Sequence, residues 1–147
     1  MWLILDETYR DFMPGSSATA PHGIFADPAL AACVIQLYSF SKAYCVPGHR
    51  VGAVIAPERF LAELAKVQDC VQICAPRAGQ MALARAIPAL TRWRQGNRDV
   101  IGGRAQAFRE AMRRVNRWQV DQLGGYFAYL RHPFAGKASA EVAKLLA

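Results

Sequence analysis

The chain is predicted to be an α/β protein. Short, continuously apolar runs come first along it, helical patterns follow, and 53% of its 147 residues are hydrophobic against 20% charged. A strand-then-helix order is the mark of α/β layering. That length and composition suffice for a folded domain with a hydrophobic core and exclude a disordered chain.

Residues 2–5 (WLIL) form an apolar run ending at Asp6, which suits a strand buried on both faces of a parallel sheet. Pro14-Gly15-Ser16-Ser17 and Pro21-His22-Gly23 mark a loop. Val34 to Tyr38 is a second strand, running into Ser39-Phe40-Ser41-Lys42. After a Pro47-Gly48 turn, Val51 to Ala56 is a third. Pro57 suits a first helical position and Glu58 the first turn. Phe60, Leu61, Leu64, Val67, Val71 and Cys74 then keep the spacing of one helical face, with Pro76 as its end. Met81, Ala84, Ile87 and Leu90 predict a second helix, interrupted or ended near Pro88. A long helix is predicted over 91–117, with Trp93, Val100, Ile101, Phe108, Met112 and Val115 on its buried side and a weak point at Gly102-Gly103. Gly124-Gly125 marks a turn before a strand over Tyr126 to Arg131, and residues 138–147 read as a helix cut off in mid-course.

The charge is +7 and the pI about 9.6, which raises the question of nucleic acid. The arginines are spread, many of them between Arg77 and Arg117 on predicted helices, with no aromatic residues interleaved as in an RNA-binding strand. A solvated or interface-forming face is the better reading, so no nucleic-acid partner is expected. No apolar run approaches the ~20 residues of a membrane span, and Asp6 and Glu7 cut the N-terminal run short of a signal peptide. No membrane partner is expected, and the expected compartment is the cytoplasm. Cys33, Cys45, Cys70 and Cys74 do not form a disulfide framework. Cys70 and Cys74 lie four apart, yet no His stands within a turn of them, so they are read as buried thiols and no metal is assigned. His22, His49 and His132 read as loop residues without chemistry.

The chemistry concentrates at the predicted strand ends. Asp6 closes the first strand and Tyr9 follows it; Ser39, Ser41 and Lys42 close the second; Arg50 lies past the Pro47-Gly48 turn. Ligands bind at such strand ends in open parallel sheets. The residue types suit pyridoxal 5'-phosphate (PLP), which needs an amine for its aldehyde, a carboxylate for its ring nitrogen and donors for its phosphate. Lys42 supplies the amine and Asp6 the carboxylate. Tyr9 can meet the ring's phenolic oxygen, and Ser39, Ser41 and Arg50 the phosphate.

The run S-F-S-K-A-Y-C-V-P-G-H-R-V-G resembles the lysine segment of class I/II aminotransferases, the fold-type I PLP enzymes. L-I-L-D-E-T-Y-R-D-F resembles the strand carrying the family's ring-nitrogen Asp, and G-G-Y-F-A-Y-L the strand opening its small domain. The resemblance implies Lys42 as the Schiff-base lysine, Asp6 at the ring nitrogen, Tyr9 at the ring oxygen, and Ser39, Ser41 and Arg50 at the phosphate. It implies part of a three-layer αβα large domain with a mostly parallel sheet over residues 1–117, including a long interdomain helix. Residues 118–147 would begin the small C-terminal domain. It also implies transfer of an amino group from an amino acid to a 2-oxo acid, in a full-length form that is a homodimer. Family members are well over twice this length. Their earlier segments supply a ring stacked on the pyridine and further phosphate donors; a later one supplies the arginine for the substrate carboxylate. The chain therefore reads as a central to C-terminal-side fragment, inactive alone. The alternatives are a non-catalytic fragment of the same fold, a PLP-dependent lyase or decarboxylase, and, held low, a basic nucleic-acid-binding module.

Overall fold

A computed structural model describes residues 1–13, 22–115 and 117–147, so the predicted loop at Pro14-Gly15-Ser16-Ser17, with Pro21, lies outside the described residues. The chain forms two compact units, Met1–Arg98 and Asp99–Ala147.

In the first unit β1 (Leu3–Asp6), β2 (Val34–Ser39) and β3 (Gly52–Ile55) make a sheet in that order. β1 and β2 are parallel, with Asp6 level with Leu37, so both strands end on the same side of the sheet. β3 is antiparallel to β2, pairing Gly52 with Ser39, and the sheet is mixed. The reason is the connection: a parallel return needs a crossover, usually through a helix long enough to carry the chain back along the sheet. Phe40 to Val51 holds only the one-turn helix α2 (Phe40–Ala43) and a 3-10 turn at Pro47–His49. Before β2, the short helix α1 (Pro28–Ala31) is opened by Asp27, whose Oδ1 accepts from Ala29 N at 2.8 Å, with Pro28 at the first position.

The core sits around β2 and α2. Val34, Ile35, Ala43, Tyr44 and Val51 are buried, joined by Phe12 and Leu83. β1 is not buried on both faces as its sequence suggested. It is an edge strand, with Leu3 41% and Ile4 61% exposed.

α3 (Glu58–Val71) docks through Phe60, whose ring lies 5.5 Å from that of Trp2, and through Arg59 Nη2, which donates to Ala32 O. It stops at Val71, short of Pro76, where Ile73 turns left-handed with φ 62. Cys74 thus falls outside the helix, and Cys70 and Cys74 are exposed, contrary to the buried thiols expected. Pro76 instead caps α4 (Arg77–Ala89), which carries Pro88 in its last turn without interruption. Gly79 is what lets α4 approach: a Cβ there would stand 3.0 Å from Val51 Cγ2 and 3.2 Å from His49 Cβ.

α5 (Thr91–Met112) runs straight through Gly102-Gly103. It has no buried residue, and Trp93, Val100 and Phe108, expected on a buried side, are exposed. The boundary between the two units falls within it. In the second unit β4 (Gln119–Gly124) pairs antiparallel with β5 (Phe127–Arg131) through a turn in which Gly125 has φ 55. α6 (Ser139–Leu146) buries Val142. No described helix is long and apolar enough to cross a membrane.

Candidate active site

Asp6 is the last residue of β1. Past it the chain turns, and Thr8 donates twice to Asp6 Oδ1, from its backbone N at 3.1 Å and its hydroxyl at 2.7 Å. This is an Asx turn, which the Asp-x-Thr spacing favours. The Thr8 hydroxyl first and its N–H second hold the Asp6 carboxyl below the usual aspartate range. Asp6 is thus a carboxylate to lower pH than an ordinary Asp, even though its side chain is exposed.

β2 delivers the second group. Ser39 ends the strand and caps α2, its Oγ accepting from Ser41 N at 3.3 Å. Ser41 is buried and Lys42, one residue on, is half-buried. The turn closes with Tyr44 N and Cys45 N donating to Phe40 O and Lys42 O. Arg50 ends the 3-10 turn in the left-handed region, φ 51 and ψ 45, and Nη1 donates to Pro47 O at 3.0 Å. That conformation swings the chain directly into β3.

The sheet register brings Asp6, Ser39 and Arg50 to one groove of ≈ 690 Å³. Thr8 completes its polar side, and Leu61, Leu64, Val67 and Val71 of α3 form its apolar wall. Lys42, Ser41 and Tyr9 do not line it. Tyr9 is half-buried and caps the 3-10 turn Arg10–Phe12, its ring 6.5 Å from that of Phe12. Gly52 also borders the groove. A Cβ there would meet the Tyr38 carbonyl oxygen at 2.9 Å, and that oxygen belongs to backbone. We predict that Gly52→Ala destabilises the fold by about 1–3 kcal/mol, read as a lowered thermal midpoint. An unchanged midpoint would show that β3 gives way freely.

Sequence reasoning missed two buried acids, which do not line the groove. Glu7, 8% exposed, accepts from Arg10 Nη1 at 3.2 Å and from the Gln36 side-chain amide, and pairs with His22 Nε2 at 2.5 Å. His22 is therefore a hydrogen-bond partner of a buried acid rather than a plain loop residue. Asp11, 7% exposed, accepts from the Tyr38 hydroxyl at 2.5 Å and from Arg94 Nη1 at 2.7 Å. Burial first, and then Asp11, hold the Tyr38 hydroxyl protonated far above the usual tyrosine range. The signal for Thr8 was present in its spacing from Asp6; none marked Glu7 or Asp11 as buried. Among the described residues no group of His, Cys, Asp and Glu side chains could hold a metal.

The donor set fits PLP. An ionised carboxylate matches a protonated ring nitrogen, a hydroxyl and a guanidinium on the same groove match a phosphate, and the only lysine of the segment follows Ser41 directly. Known proteins resemble the chain as a whole. An aspartate aminotransferase of Musicola paradisiaca is 32% identical over 124 residues, 84% of this chain and 28% of that protein. The aromatic aminotransferase ISS1 of Arabidopsis thaliana is 33% identical over 96 residues, 63% of this chain and 22% of that one. The crystal structure of LysN, an α-aminoadipate aminotransferase from Thermus thermophilus complexed with N-(5'-phosphopyridoxyl)-L-leucine, superposes with a TM-score of 0.80 at 24% identity. It covers 99% of this chain, which spans 38% of it. The chain thus spans less than a third of the curated relatives and under two fifths of the solved structure. The sequence model described as aminotransferase class I and II matches residues 1–147, and the chain belongs to that family.

Proposed function

We propose that this chain carries the PLP site of an aminotransferase that moves an amino group from an amino acid to a 2-oxo acid. The observation that supports it most is the convergence of Asp6 and Ser39, from the ends of two strands, and Arg50, from the turn before a third, on one groove. In this reading Lys42 provides the amine that holds the cofactor, Asp6 faces its ring nitrogen and Tyr9 its ring oxygen. Ser39, Ser41 and Arg50 hold its phosphate. When bound, PLP supplies an aldehyde for amines and a ring that draws electrons from the substrate α-carbon. With PLP bound, Lys42, freed when the substrate amine takes its place, would take the proton from the substrate α-carbon as base and deliver it as acid to the cofactor carbon that had carried the aldehyde. Asp6 stabilises the charge that develops, and does so without rearranging, because Thr8 already fixes its carboxylate. The complete enzyme is proposed to be a cytoplasmic homodimer, with residues 1–117 in its large domain and 118–147 opening its small one.

Lys42 is directly testable. PLP added to the chain should give a yellow species that borohydride fixes covalently, and peptide mapping should place the pyridoxyl group on Lys42. Label confined to Lys66, Lys137 or Lys144 would sink the assignment.

A further inference from the structure

One carboxylate ties down both flanks of the segment that carries Lys42. Asp11 accepts from the hydroxyl of Tyr38 and from the guanidinium of Arg94. Tyr38 directly precedes Ser39, the residue that opens α2. Arg94 lies with its guanidinium carbon 5.9 Å from the centre of the Tyr44 ring, and Tyr44 closes α2 at its other end. The gap between the flanks is filled by Phe40, whose ring meets Tyr38 edge-on at 5.1 Å and Tyr44 at 5.6 Å. A single helical turn does not hold itself in water, so α2 takes its position from these anchors. The anchors are firm. Asp11 is a buried charge, which stays paired because leaving it unpaired is costly. Tyr44 is 6% exposed.

We propose that Asp11, acting through Tyr38 and Arg94, is a positioning residue for Lys42: it sets the α2 turn so that the Lys42 amine is presented to the cofactor. Asp11 itself touches neither cofactor nor substrate. The proposal rests on the reading of Lys42 as the cofactor lysine and adds the device that aims it.

The test uses PLP as the probe on the wild-type chain and on Asp11→Asn, Asp11→Glu and Tyr38→Phe. After borohydride, peptide mapping gives the ratio of label on Lys42 to label on Lys66, which is a surface lysine paired with Glu63. The pH midpoint of the visible band is a second readout, and thermal melting reports the fold. We expect Asp11→Asn and Tyr38→Phe to stay folded, to lower the label ratio roughly tenfold to a hundredfold, the scale of a misplacement of about 1 Å, and to move the pH midpoint. Asp11→Glu should recover part of both. Folded Asp11→Asn and Tyr38→Phe chains that keep the wild-type ratio and midpoint would overturn the proposal. Should Asp11→Asn fail to fold, Tyr38→Phe, which removes one oxygen atom, decides alone. Wild-type chain labelled elsewhere than Lys42 is a different result, and it overturns the cofactor reading together with this one.

Discussion

These 147 residues by themselves are expected to turn over no common amino acid. Relatives of the chain are far longer, and this structure leaves large apolar side chains in solvent. Ile4 on β1 is 61% exposed, Ile55 on β3 49%, and Val67 and Val71 on the groove wall 60% and 75%. A groove with one such wall open cannot fix a cofactor and a substrate against each other. Positioning of that kind can be worth roughly 7–11 kcal/mol of barrier, which lies beyond what the remaining contacts recover. We expect weak PLP binding and self-association through the exposed β1 edge. Assays with a panel of amino acids and a 2-oxo acid check this. Steady turnover that Lys42→Ala abolishes would show the expectation to be wrong.

The second large effect belongs to Asp6, measured in an enzyme of full family length that carries these residues. Asp6→Ala should leave cofactor attachment intact and slow proton abstraction by about 10²–10³, the usual cost of removing one preorganised electrostatic partner. Asp6→Glu should lose less, since it keeps the charge and forfeits the Thr8 geometry. The pH dependence follows from the lowered pKa: the carboxylate is present above it, and its contribution disappears only as the pH falls through that lowered value. Near-normal turnover of the Ala variant would rule out Asp6 as the ring-nitrogen partner.

The parts of this site that could be read from sequence are those that local chemistry fixes. β1, β2 and β3 are apolar runs, and Asp6, Ser39 and Lys42 lie at or just beyond their ends, where the pattern breaks. The Pro-Gly-x-Arg-x-Gly stretch was legible as a motif, and the structure gives two of its members physical reasons: Arg50 turns left-handed and Gly52 clears the Tyr38 carbonyl. What stayed hidden depends on distant partners. Asp11 is buried because Arg94 reaches it from far along the chain, and Glu7 because Gln36 and His22 do. Nothing next to either acid records that. β4 was missed because a bulge between Val120 and Gln122 breaks the two-residue alternation on which a strand is recognised. α1 had a usable signal in Asp27-Pro28, and the short length of the helix concealed it.

The sheet order also ranks the entropic cost of closing each strand pair. β4 and β5 close over a tight turn and need only microseconds. β2 and β3 must bring together the ends of a longer segment, and β1 can join only after everything from Glu7 to Cys33 has been looped out, at a larger entropic cost. Asp6 rides on β1, so the groove gains its carboxylate only once the longest loop of this sheet has closed. A ligand that recognises the finished groove therefore binds only chains that have completed that step, and holds them there by mass action.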